Sequence, residues 1–170
     1  MGPVTSLFSE YRLWIFDADD TLRRTTVPGQ PCPRAEDQWV LLAGVRERLR
    51  AVRWNTPGAP KLGVASNQDQ VGAGIISAET ARSLLHAMVY AAAGIRLPEP
   101  AVQFCPHALD VRCACRKPGP AMLERIMSHY DIGPSATVLV GDQASDRAAA
   151  RAARTAYLDA AEVFGWAQSA

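Results

Sequence analysis

Trp14-Ile15-Phe16-Asp17-Ala18-Asp19-Asp20-Thr21-Leu22 is an apolar run that stops abruptly at three carboxylates. Unbroken apolar residues suit a strand covered on both faces, so Arg12 to Asp17 is expected to be the first strand of a buried sheet. Asp17 and Asp19 then arrive at the sheet's rim. The two-residue alternation of a strand predicts that both side chains point the same way.

Downstream, strands and helices alternate. Residues 23 to 38 carry Pro28, Gly29, Pro31 and Pro33 and read as a loop or flap at the mouth of that rim. Gln38 to Arg53 places Leu41, Leu42, Val45, Leu49 and Val52 at spacings of three and four, the pattern of an amphipathic helix. Its arginines 46, 48, 50 and 53 read as a solvated face, with a phosphate or nucleic-acid patch as the alternative. Lys61 to Ser66 is a second strand ending in Ser66-Asn67. Ser77 or Thr80 caps a helix running to Ala93. Val102 to Phe104 is a third strand, Pro120 to Tyr130 a helix with proline at its first turn, and Ala136 to Val140 a fourth strand. Gln143 to Arg154 is a helix, Thr155 to Leu158 a fifth strand and Ala160 to Ala167 a terminal helix. The expected fold is α/β: a Rossmann-like three-layer sandwich around a mainly parallel sheet of five or more strands, with active groups at the strands' carboxyl ends.

A chain of 170 residues is long enough for one domain with its own core, residues 1–170, and short for two. With 48% hydrophobic residues, 21% charged and a net charge of +1, neither disorder nor broad attraction to nucleic acid is suggested, and a small-molecule partner is expected. No run reaches the length of a membrane span, and Met1 to Glu10 lacks the basic-then-apolar order of a signal peptide. A cytoplasmic location is therefore expected.

The chemistry lies in four places. A carboxylate at a sheet rim can attack phosphorus, and clustered carboxylates call for a cation such as Mg²⁺. Gly141-Asp142 with Asp146 forms a second strand-end acidic pair, which reads equally as helix capping. Lys117 precedes a proline that stiffens its exit and could balance the charge of a phosphoryl group; a lone lysine is also an ordinary surface residue. Cys105, His107, Cys113 and Cys115 offer three thiolates and an imidazole, the donor set of a closed tetrahedral zinc site. Reduced, unliganded cysteines or a catalytic zinc are the alternatives. Zinc in the loop 105–115 would fix the segment that aims Lys117.

Taken in order, Phe16-Asp17-Ala18-Asp19-Asp20-Thr21, the strand-end Ser66-Asn67, Lys117-Pro118, and Gly141-Asp142 with Asp146 resemble the four motifs of the haloacid dehalogenase (HAD) superfamily of phosphohydrolases. The resemblance implies that Asp17 is the nucleophile forming an aspartyl-phosphate and that Asp19 protonates the leaving oxygen and then activates water. It implies that Ser66, the Asn67 backbone and Lys117 hold the phosphoryl oxygens. Mg²⁺ would take Asp17, the main-chain carbonyl of Asp19, and Asp142, with Asp146 in support. Cys-Pro-His followed by Cys-x-Cys-Arg-Lys-Pro, with Ser66-Asn67-Gln68-Asp69, is similar to the branch holding histidinol-phosphate and heptose bisphosphate phosphatases. The short zinc loop and Gln68-Asp69 lean to the histidinol-phosphate type, and Arg116 becomes a candidate substrate contact.

That branch usually has Arg between the two aspartates and Gly after them, where this chain has Ala18 and Asp20. The intervals between motifs leave no room for a large cap domain. The expected activity is a Mg²⁺-dependent phosphatase acting on histidinol phosphate or a sugar phosphate. A polynucleotide 3'-end phosphatase is the enzymatic alternative, a receiver-like phosphoacceptor module the non-enzymatic one. Nucleic acid is disfavoured as a partner but left open, and oligomeric state is not expressed in the sequence.

Overall fold

The computed structural model describes residues 7–167, so the extreme ends of the expected 1–170 domain, and most of the leader reading for Met1 to Glu10, lie outside the described residues. Strand β1 is Leu13–Phe16, β2 Arg23–Thr25 and β3 Trp39–Leu41; helix α1 is Val45–Arg50. Strand β4 (Lys61–Asn67) leads into a short helix α2 (Asp69–Gly72) and the long α3 (Ala78–Ala93). Then come β5 (Val102–Cys105), α4 (Ala121–Tyr130), β6 (Thr137–Gly141), α5 (Ala144–Ala152), β7 (Ala156–Asp159) and α6 (Ala160–Phe164).

Five strands form one parallel sheet in the order β5-β4-β1-β6-β7. The chain starts at the centre, moves outward through β4 to β5, and returns to the other side of β1 for β6 and β7. The strand order thus reverses at β1, and in open α/β sheets that reversal leaves a crevice at the carboxyl ends where ligands bind. Asp17 stands there, one residue past β1.

Alternation along β1 divides the interior in two. Trp14 and Phe16 pack with Leu62, Val64, Val138 and Val140 against α1, α3 and α6. Leu13 and Ile15 pack with Ala65 and Leu139 against Met122, Leu123 and Ile126 of α4 and Ala149 and Ala150 of α5. All four β1 side chains are fully buried, which for residues of this size contributes roughly 1.5–3 kcal/mol each. This is the three-layer sandwich the sequence predicts.

Two expectations need correction. The segment 38–53 is not one helix: Trp39–Leu41 is a strand pairing antiparallel with Arg23–Thr25, and helix begins only at Val45. The cause is local, since Gly44 caps that helix in the left-handed conformation at φ 77°, a geometry that ends the preceding extended run at little cost only for glycine. The 23–38 segment is accordingly half of a small hairpin at the rim rather than irregular throughout.

Candidate active site

Three central strands bring their carboxyl ends together, and each delivers part of one cluster. Lys117 Nζ is buried and donates to Asp17 Oδ1 at 2.7 Å, Asp146 Oδ1 at 2.6 Å and the Ala65 carbonyl at 2.8 Å. All three ammonium protons are used. Burial alone would lower the lysine's pKa, but the two carboxylates outweigh it and raise the pKa above its ordinary value. Lys117 is therefore no surface residue.

Asp146 sits in the first turn of α5. Its Oδ2 accepts from the backbone N–H groups of Asp142 (3.2 Å) and Gln143 (3.0 Å), closing a capping box with Gln143. Capping and site membership, opposed readings in the sequence, are both true of this residue. Gly141 makes it possible: a Cβ there would lie 2.5 Å from the Asp146 carboxyl group.

Asp17 continues the face of Leu13 and Ile15, and its Oδ2 accepts from Thr21 Oγ1 at 3.2 Å. The same hydroxyl lies 3.1 Å from Asp142 Oδ1. Burial pushes the Asp17 carboxyl up to about 7, with Lys117 opposing and Asp146 and Asp19 adding to the rise. Burial likewise raises Asp142, whose other oxygen accepts from Gln143 Nε2 at 2.8 Å. Ligand oxygens of Asp17, Asp142 and Asp146 all lie within 4.8 Å of one another.

Asp19 binds other partners than Asp17. The strand ends at Phe16 and the Ala18 carbonyl accepts from the N–H groups of Thr21, Leu22 and Arg23, so the chain is already turning and strand alternation no longer applies. Asp19 Oδ1 accepts from Arg23 Nε at 2.8 Å and Oδ2 from Gln68 Nε2 at 2.8 Å. Gln68 also donates to Ser66 Oγ at 2.9 Å, leaving the hydroxyl's own proton free to donate. Asp20, at the usual glycine position, adopts φ 60°, a left-handed geometry that Asp tolerates better than most residues. Its carboxylate pairs with exposed Arg24 at 3.0 Å.

Four carboxylates, Asp17, Asp19, Asp142 and Asp146, face two buried cations, Lys117 and Arg23. The balance is two negative charges in a largely dry site, and a divalent cation is its natural complement. Oxygen donors at this density suit Mg²⁺, and Asp17 with Asp142 would hold it. Asp146, with three donors already on its oxygens, is placed to support.

The side chains of Asn67 and Arg116 hydrogen-bond within the protein. Asn67 Oδ1 accepts from the Lys117 N–H at 3.0 Å while its Nδ2 donates to the Lys117 carbonyl at 3.2 Å. The tip of β4 thereby clamps the lysine's backbone. Arg116 NH2 donates to the His107 carbonyl, and its Nε has no hydrogen-bond partner.

Beyond β5, Cys105, His107, Cys113 and Cys115 turn their donor atoms inward, all within 4.8 Å of one another. His107 Nδ1 lies 3.2 Å from Cys115 Sγ and 3.5 Å from Cys105 Sγ, and the Cys105 and Cys113 sulfurs are 3.6 Å apart. Tetrahedral zinc with Zn–S bonds of about 2.3 Å sets ligand sulfurs about 3.8 Å apart, so the four donors fit that ion. The Arg116 backbone N–H helps lower the Cys113 thiol to about 6, and burial raises Cys105 to about 12.

Sequence reasoning missed Arg23 and undervalued Gln68 as site residues. Both are polar residues in turns, where a solvated reading is the default; no periodicity marks them as buried.

A family profile described as HAD-hydrolase-like matches residues 114–157, from the zinc loop through α5. The D-glycero-beta-D-manno-heptose-1,7-bisphosphate 7-phosphatase of Bordetella bronchiseptica is 32% identical over 117 residues, covering 69% of this chain and 64% of its own. The D-glycero-alpha-D-manno-heptose-1,7-bisphosphate 7-phosphatase of Mycobacterium tuberculosis is 33% identical over 135 residues, 76% of this chain and 66% of its own. The chain thus spans just under two thirds of the length of these curated relatives. A crystal structure of the B. bronchiseptica D,D-heptose 1,7-bisphosphate phosphatase, complexed with magnesium and phosphate, superposes with a TM-score of 0.70 at 27% identity. It covers 86% of this chain and 78% of that one.

Profile, relatives and superposed structure all liken this chain to the HAD superfamily, and the likeness runs to proteins named as heptose bisphosphate phosphatases.

Proposed function

We propose that this chain is a phosphomonoester phosphatase of a single HAD domain that works through a phospho-aspartate on Asp17. The observation that carries the reading is the buried Lys117 ammonium shared by Asp17 and Asp146 at the sheet's reversal point, beside Asp142. Asp17 Oδ2, which accepts from Thr21, attacks phosphorus. Lys117 keeps Oδ1 in place and offsets the charge that gathers on the phosphoryl oxygens. Ser66 donates its hydroxyl proton to one of those oxygens, and the Asn67 backbone lies beside it. Asp19 gives its proton to the departing oxygen, then takes one from the water that cleaves the acyl-phosphate. Mg²⁺, held by Asp17, Asp142 and the Asp19 carbonyl, supplies charge neutralisation when bound. Zn²⁺ in the Cys/His loop is proposed as structural, because four protein donors leave no open position.

The substrate class follows from the relatives' names: a sugar phosphate of the heptose bisphosphate kind. This replaces the lean toward histidinol phosphate, since the relatives above bear the other name. Among the described residues no helix is long and apolar enough to cross a membrane.

The test is release of inorganic phosphate, with Mg²⁺, from heptose 1,7-bisphosphate, histidinol phosphate and a DNA 3'-phosphate. The sugar bisphosphate is expected to turn over fastest, and Asp17→Asn to abolish all turnover while preserving the circular dichroism spectrum. Retained turnover in that variant refutes the reading.

A further inference from the structure

Asp19 is gripped at both oxygens by side chains from two different parts of the fold. Arg23, on β2, is 1% exposed, and this burial is unusual for a guanidinium. Its Nε lies 2.8 Å from Asp19 Oδ1, and its NH1 donates at 3.1 Å to the Leu84 carbonyl in the body of α3. The Arg23 backbone is fixed as well: its N–H donates to Ala18 and its carbonyl accepts from Asp20 at 2.7 Å. From the other side, buried Gln68 holds Asp19 Oδ2. The Arg23 side chain spends its contacts on Asp19 and α3, whereas Lys117 is the cation that meets Asp17 directly.

We propose that Arg23 is a positioning residue for proton transfer: anchored to α3, it fixes the plane of the Asp19 carboxyl group so that the O–H of its protonated form faces the departing oxygen. The proposal rests on the phosphatase reading above. In that reaction the Asp17 O–P bond forms as the bond from phosphorus to the leaving oxygen breaks, and the Asp19 proton ends on that oxygen. A carboxyl group held at one oxygen alone can rotate about its bond to Cβ, and small losses of alignment are costly in proton transfer. Each Asp19 oxygen keeps one lone pair beyond those taken by Arg23 and Gln68, so the grip orients the group without consuming it.

A positioning role makes a prediction that a merely structural one does not. A p-nitrophenolate leaves without a proton, whereas an alkoxide needs one. The experiment measures kcat/KM, which reports formation of the phospho-enzyme, for p-nitrophenyl phosphate, phenyl phosphate and an alkyl phosphate. It compares the wild type with Arg23→Met, Arg23→Lys and Gln68→Met.

The expected result is a loss that steepens with leaving-group basicity. For Arg23→Met it is about 10²-fold larger for the alkyl ester than for p-nitrophenyl phosphate, within the range general acid catalysis supplies. Arg23→Lys recovers part of the difference, and Gln68→Met shows the same slope more weakly. An equal loss across the three esters, or none, overturns the proposal. Should Arg23→Met not fold, the slope in Gln68→Met and Arg23→Lys decides by the same criterion. Asp17→Asn separates the layers: if it retains turnover the phosphatase reading fails, whereas an inactive Asp17→Asn with a flat Arg23 series sinks this inference alone.

Discussion

The carboxylate rim and the cysteine-histidine loop lie at neighbouring strand ends and are built on opposite plans. At the rim, the protein satisfies its own charges: Lys117 spends three protons on three acceptors, and Asp146 takes three donors. In the loop, three thiols and an imidazole face one another at 3.2–3.6 Å, with Arg116 on the His107 carbonyl beside them. One site is knit by hydrogen bonds around a buried ammonium; the other gathers four donors that fit a single ion. In the reading proposed above, chemistry and scaffolding fall to different metals, and Lys117, two residues past Cys115, joins them.

The most severe break in this contrast is Lys117→Met. It leaves Asp17 and Asp146 buried without their counter-charge, at an expected cost of about 3–5 kcal/mol in urea unfolding, and turnover disappears. Lys117→Arg is not expected to rescue it, because a planar guanidinium cannot meet three acceptors arranged around one ammonium. Next in size is removal of zinc with a strong chelator, followed by elemental analysis and a thermal melt. A loss of about 3 kcal/mol would lower the midpoint by roughly 6–12 °C for a domain of this size, and activity should fall with it. Full activity in zinc-free protein resupplied with Mg²⁺ would cut the proposed link between loop and lysine.

Asn67→Ala probes the link more gently. Two hydrogen bonds to the Lys117 backbone are lost, about 1–3 kcal/mol in all, and kcat is expected to fall by about 10-fold or more as the ammonium drifts. Unchanged kcat would show that burial alone aims the lysine. The smallest effect belongs to Asp20→Gly. Relief of the left-handed geometry, about 1–2 kcal/mol, is offset by glycine's entropy and by an exposed ion pair of small value. Stability should therefore move by less than about 1 kcal/mol, as read in a chemical melt, and activity should persist. A large loss would give the Asp20 carboxylate a task beyond shaping the turn.

The strands and their carboxyl-end residues were readable because burial on both faces leaves an unbroken apolar signature, as in Leu13–Phe16 and Val138–Val140. Asp17, Lys117, Asp142 and Asp146 were readable through motif order, and the structure brings all four to one place. Trp39–Leu41 was not, because its apolar residues also fit a helical period and only pairing with Arg23–Thr25 decides between the two. The grip of Arg23 and Gln68 on Asp19 was hidden for a different reason. Buried polar residues are defined by their partners, and those partners lie 4 and 49 positions away in the chain. The left-handed turn at Asp20 was equally silent, since its sign is visible only in the backbone.

The Asn67 clamp has one more consequence. Cys105 ends a sheet strand, and Lys117 is pinned by the tip of the next, so the segment between them is bracketed at both ends by the same rigid sheet. Leu109, Asp110, Val111 and Arg112 at its crest are exposed. With both ends fixed by the sheet, changes of length or composition at this crest are expected to leave the Lys117 clamp in place.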